Sequence, residues 1–193
     1  KGIDEISEGI YFDLSFFKQR KKHTGSFDKS PLRPYNTMHS ALIVNSNKLD
    51  LKFSFTPEQK KLDVSPVFLP DGVIIQNNLS IGEGNCSDFR SQVSFRERYR
   101  KKLLTIVIEG VYPSQCLEKD HDLAITKTEH YFFGAFKKLW LESGGKINGY
   151  FKKHNQNSRD ILIAEILSDD LSGAIRFMLK ESDNLTARNI FLS

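Results

Sequence analysis

The stretch LSDDLSGAIRFMLKESDNLTARNIF, residues 167–191, decides the fold. Leu171, Ala174, Ile175, Met178 and Leu179 recur at the spacing that puts side chains on one face of a helix, so a helix with those five residues turned inward is predicted. Ser168 is the expected cap, and Asp169 and Asp170 suit the positive end of the helix dipole. The segment LTARNIFLS is compatible with a second helix. Ser182-Asp183-Asn184 therefore falls at an interhelical joint, which has two readings. Ser and Asn cap helix ends well. A hydroxyl and an amide at such a joint can also project together into a cleft.

Upstream of this block the chain changes character twice. GIYFDLSFF opens as a β-rich run, and KLDLKFSF alternates, with Leu49, Leu51, Phe53 and Phe55 on one face and Asp50, Lys52 and Ser54 on the other. A turn is predicted at Ser46-Asn47, and PVFLPDGVIIQN reads as two short strands around Pro70-Asp71-Gly72. FRSQVSFRERY and KLLTIVIEGVYP read as a further strand pair, so residues 49–113 form a mainly β unit. After Pro113 a capping box is read at Thr126 and Glu129, opening a helix marked by Phe132, Ala135, Phe136, Leu139 and Trp140 and stopped by Gly144-Gly145. KINGYF and ILIAEIL are expected as strands.

The 193 residues suffice for one ordinary domain or two small ones, and 39% apolar residues with fifteen Phe make the chain globular rather than disordered. A net charge of +4 is a weak pointer to acidic surroundings. No apolar run reaches the length of about 18 residues that a membrane span needs, and the N-terminus lacks a signal-peptide layout. A start at Lys1 suggests a processed product or a piece of something longer. Cys86 and Cys116 are either a disulfide or two unrelated thiols. The histidines show no ligand spacing and no nucleotide-binding glycine loop is found, so neither a metal nor another cofactor is expected.

Three short motifs suggest serine acyl-transfer chemistry. Enzymes of the penicillin-binding and β-lactamase type use Ser-x-x-Lys for nucleophile and amine, Ser-x-Asn for proton relay and substrate amide, and Lys-Thr-Gly for the substrate carboxylate. The chain holds Ser15-x-x-Lys18, Ser182-x-Asn184 and His23-Thr24-Gly25. The first requires a helix, where residues three apart share a face, yet Ser15 sits in a strand that ends in a basic loop. His23-Thr24-Gly25 lies in that same loop, ahead of Ser-x-Asn rather than after it. Both are read as coincidences.

Ser168, Leu171, Met178, Lys180, Ser182, Asn184 and Ala187 fit a layout that resembles the Ser-x-Asn region of the D-alanyl-D-alanine carboxypeptidase/endopeptidase family, the class C low-molecular-mass penicillin-binding proteins. GIYFDLSFF, PYNTMHSALIVNSNKLDLKF, LTIVIEGVYP and TEHYFFGAFKKLWLESGGKINGYF are similar, in that order, to the accessory region this family inserts between its first two catalytic motifs. The resemblance implies an α+β chain: an accessory α/β domain (1–48 and 114–165), an inserted mainly-β domain (49–113), and a short helical piece of the β-lactamase-like catalytic domain (166–193). It implies that Ser182 shares protons with a catalytic lysine and that Asn184 orients the acyl side of the substrate. In the complete protein the partners would be peptidoglycan peptide and β-lactams, in the periplasm. Lys180 and Asp183 have no assigned role, and Arg188 stands where relatives usually carry an acid. Without a helical Ser-x-x-Lys or a Lys-Thr-Gly strand, the chain alone is expected to be an inactive fragment.

A competing reading concerns residues 90–102. Arg90, Arg96, Arg98, Arg100, Lys101 and Lys102 interleave with Phe89, Phe95 and Tyr99, a mixture that suits anionic polymers, in a noncatalytic module binding cell wall or nucleic acid. A solvated basic strand face explains the same residues, and nucleic acid is not expected. Oligomeric state is left open by the sequence.

Overall fold

The computed structural model describes residues 2–17, 25, 28–153, 161–168 and 170–193. Its elements, in order, are β1 (Glu5–Ile6), β2 (Gly9–Phe12), β3 (Lys48–Thr56), β4 (Lys61–Pro66), β5 (Val73–Gly82), α1 (Phe89–Gln92), β6 (Val93–Arg100), β7 (Leu103–Pro113), β8 (Glu118–Ala124), α2 (Thr128–Glu142), β9 (Lys146–Ile147), β10 (Tyr150–Lys153), α3 (Leu171–Glu181) and α4 (Asn184–Leu192). Helix and strand are thus mixed, as the sequence implies.

The alternation of β3 is realised: Leu49, Leu51, Phe53 and Phe55 are buried, and the residues between them face outward or lie half-buried. β3 is the middle strand of one antiparallel sheet, between β4 and β8, with Leu49 opposite Leu123 and Phe53 opposite Val64. The second sheet has β7 in its centre. β6 pairs with it antiparallel through the Lys101-Lys102 turn, as the sequence predicts, whereas β5 pairs with it in parallel, Val73 opposite Leu104. One core joins the two sheets: Phe53 stacks on Tyr112 with centroids 5.9 Å apart, and Leu104, Ile106 and Ile108 lie in the same buried cluster. Burying each such side chain contributes about 1.5–3 kcal/mol, so this cluster is the main source of stability. Cys86 and Cys116 are joined by a disulfide.

The N-terminal strands close on a later part of the chain. β1 pairs with β9 and β2 with β10, both in parallel. The crossing needs two glycines: a Cβ on Gly9 would stand 1.9 Å from the Tyr150 carbonyl oxygen, and one on Gly149 would stand 2.5 Å from that of Glu8. KINGYF is accordingly two strands broken at Asn148-Gly149 rather than one.

Several sequence expectations are corrected. PVFL is not a strand; the strand before the Pro70 turn ends at Pro66, and the Asp71 N–H instead donates to the Gly134 carbonyl of α2. Phe89–Gln92 is helical rather than extended. Thr126 does not cap α2, which starts at Thr128 after Lys127; both the N–H and the hydroxyl of Thr126 donate to the Glu97 carboxylate. A mostly buried carboxylate needs those donors more than a helix end does, and burial pushes the Glu97 pKa up despite them. The buried stripe of α2 runs through Tyr131, Phe133 and Ala135, while Leu139 is exposed. Residues 161–167 form no strand; Ile161, Leu162, Ile163, Ile166 and Leu167 are exposed. Asp170, not Ser168, caps α3, accepting from the Gly173 N–H at 2.7 Å. The five apolar positions of α3 are not turned into a core, since the helix has no buried residue. Ala174 and Met178 are half-buried, where α3 meets α4, and Leu171, Ile175 and Leu179 are exposed.

Candidate functional site

Ser182 and Asn184 stand at the joint between α3 and α4, both exposed. Ser182 is the residue that ends α3, in the left-handed region at φ 51° and ψ 40°, with its N–H donating to the Met178 carbonyl. Its hydroxyl has no hydrogen-bond partner among the described residues, and neither has the Asn184 amide. The side-chain cap of α4 comes from Asp183, whose carboxylate accepts from the Thr186 N–H at 2.7 Å. Asp183, unassigned from sequence, thus performs the capping that could have explained its neighbours, leaving both of them open to solvent.

Two contacts hold α4 in place. Leu185 is buried, and Arg188 donates from Nη1 to the Thr37 carbonyl at 2.7 Å. Arg188 thus ties the helix to Thr37 and the turn Pro34–Asn36 before it. That tie places Ser182 and Asn184 on the edge of a hollow of about 550 Å³, whose charged lining mixes Arg33, Lys48 and Arg90 with Asp120, Asp122 and Glu181, beside Tyr35 and His121.

The charges around this hollow are unevenly matched. Lys48 lies 2.9 Å from Asp122 and 3.3 Å from Asp50, and the Asp122 carboxylate in particular holds its ammonium above the usual lysine range. The Tyr35 hydroxyl donates to Asp28 at 2.6 Å, and the Asn36 amide donates to the same carboxylate at 3.1 Å; the tyrosine bond is the chief reason its pKa lies below the usual value. Burial, reinforced by Arg33 and Arg90, pushes the His121 imidazole down from 6.5 to about 4. It is neutral at physiological pH, stacked on Phe95 with centroids 4.4 Å apart.

The other motifs are not gathered here. Ser15 lies in a turn, its N–H donating to Asp13 at 2.8 Å, so no helix carries it. Lys18, His23 and Thr24 lie outside the described residues. In the basic segment Phe89 is buried, Phe95 is half-buried against His121, and the exposed Tyr99 bonds His130. Arg96 pairs with Glu109. The sequence reading missed Arg33, Lys48 and His121, because they reach the hollow from separate segments with no common spacing.

Ser182 and Asn184 have the donor and acceptor capacity of a proton relay and a substrate-orienting amide. Acyl transfer further requires an activated nucleophile and an oxyanion site, and neither is assembled among the described residues. The solved structure of penicillin binding protein 4 (dacB) from Haemophilus influenzae is similar, with a TM-score of 0.72 at 18% identity, covering 98% of this chain and 41% of that one. The same protein complexed with a novel β-lactam gives a TM-score of 0.64 at 16% identity, covering 98% and 39%. At these identities the likeness is one of fold, and the chain spans about two fifths of the length of these structures. No curated protein matches in sequence. The sequence profile of one family, however, matches residues 1–193, and the chain belongs to the D-Ala-D-Ala carboxypeptidase 3 (S13) family.

Proposed function

We propose that the chain is the part of a peptidoglycan D-alanyl-D-alanine carboxypeptidase/endopeptidase that carries its accessory region and Ser-x-Asn motif. In the complete protein Ser182 shares a proton with the lysine beside the nucleophilic serine, and Asn184 orients the acyl side of the peptide or β-lactam. Residues 1–48 and 114–165 are the accessory domain, 49–113 the insertion, and 166–193 the returning catalytic domain. The pairing of β1 and β2 with β9 and β10 supports joining the first two pieces, although β3 pairs with β8 across the boundary at 113.

The observation that carries the reading is the combination at α3. A Ser-x-Asn triplet sits solvent-exposed at its end, in a chain that belongs to the family, and its flank carries exposed apolar side chains: Leu171, Phe177 and Leu179, with Ile166 and Leu167 before them. An apolar face of this extent marks an interaction surface, here one for the remainder of a catalytic domain. The disulfide supports an oxidising compartment, the periplasm. Release of D-alanine from a pentapeptide substrate tests the reading. The complete protein should release it, and the 193-residue chain should not; release by the chain alone contradicts the split.

A further inference from the structure

Beside the hollow at Ser182 lies a second cleft of about 230 Å³, where residues 29–33 cross α1 and the start of β6. Every charged side chain lining it is positive: Lys29, Arg33 and Arg90. Ser30 and Ser94 add hydroxyls, and Phe95 and His121 form an aromatic wall.

The backbone fixes the two arginines there. The Ala124 N–H donates to the Leu32 carbonyl at 2.8 Å, docking the Arg33 segment on the end of β8. Phe89 is buried against Phe53 and Tyr112, which holds α1 and thereby Arg90. Juxtaposed like charges are unfavourable, and folded proteins normally offset them with carboxylates. Of the nearby acids, Asp28 is engaged with Tyr35 and Asn36, Asp122 with Lys48, Asp88 with the Asn85 N–H and Asp183 with the Thr186 N–H, while Asp120 and Glu181 line the hollow beyond the cleft. Neither arginine has an ion-pair partner among the described residues. Guanidinium groups match carboxylate and phosphate oxygens through paired N–H bonds.

We propose that this cleft is an oxyanion-binding site, taking a carboxylate or phosphate group borne by the ligand that reaches Ser182 and Asn184. Arg33, Arg90 and His121 line both the cleft and the hollow, so the two spaces adjoin along these side chains. The link to Ser182 and Asn184 rests on the function proposed above; the anion site itself does not. His121 belongs to the wall rather than to the charge, since its neutral ring leaves the two guanidinium groups as the anion's partners.

The experiment is calorimetric titration of the full-length protein with inorganic phosphate and, separately, with N-acetylglutamate. Saturable binding at one site per chain is expected, weakened at least tenfold by Arg33→Gln and by Arg90→Gln in proteins whose melting temperatures are unchanged. Arg96→Gln removes the same charge from the ion pair with Glu109 and should leave binding within twofold. Tighter binding of one probe assigns the group to a phosphate or a peptide carboxylate. Absence of saturable binding, or equal weakening by Arg96→Gln, overturns the site. Should either arginine variant unfold, protection of Arg33 and Arg90 from phenylglyoxal by phosphate in the unmodified protein gives the same decision. These readouts involve no acylation, so their failure is separable from failure of the catalytic reading.

Discussion

Ser182 pays for its position in backbone strain. A non-glycine residue in the left-handed region is disfavoured by about 1–2 kcal/mol, and a glycine there would relieve much of it. Ser182→Gly should therefore raise stability by about 0.5 kcal/mol while lowering β-lactam acylation of the complete protein about 10²-fold or more, the usual loss with a proton-transfer group. Urea unfolding and acylation kinetics check the two halves. Asn184→Ala should leave stability within about 0.5 kcal/mol, since Asn184 caps nothing, whereas Asp183→Ala should cost about 1 kcal/mol; unfolding midpoints compare them. His121 supplies a pH dependence. Its folded pKa, about 4, lies below the ordinary 6.5, so the neutral form is favoured by folding and the contribution is complete above 6.5. Stability should fall as pH drops from 6.5 towards 4, by on the order of 1–2 kcal/mol once part-exposure is discounted. His121→Gln should flatten that portion of the curve. Ser182 and Asn184 were legible in the sequence because three consecutive residues carry the motif. Arg33, Arg90 and His121 act together only once a turn, a short helix and a strand converge.

At the scale of elements, alternation made β3 readable, and two β-rich runs close in sequence made the β6–β7 pair readable, because both signals are local. The parallel pairing of β5 with β7 has no local signature, and Thr126 was misread because the claim of Glu97 on its donors comes from another strand. Two tertiary ties give predictions. A Cβ on Gly134 would stand 2.4 Å from the Asp71 carbonyl oxygen, so Gly134→Ala should displace the 70–72 turn from α2 and cost about 1–3 kcal/mol. Thermal unfolding measures it. The disulfide closes a separation of 30 residues, and replacing Cys86 and Cys116 by Ala should cost about 3 kcal/mol. Denaturant titration under oxidising conditions tests this value.

For the molecule as a whole, the two sheets and α2 share a core, whereas α3 and residues 161–167 present apolar side chains to solvent. The sequence showed the helical period of α3 but not its partner, since periodicity marks an apolar face without saying what covers it. On the proposed reading the rest of a catalytic domain covers this face, and residues 161–179 should resist limited proteolysis in the complete protein and be cut early in the isolated chain. The most direct test of the central claim is labelling by a fluorescent penicillin. The account predicts that the complete protein labels, that Ser182→Ala slows labelling about 10²-fold or more, and that the 193-residue chain does not label. Labelling of the isolated chain, or an unchanged rate in Ser182→Ala, would contradict it.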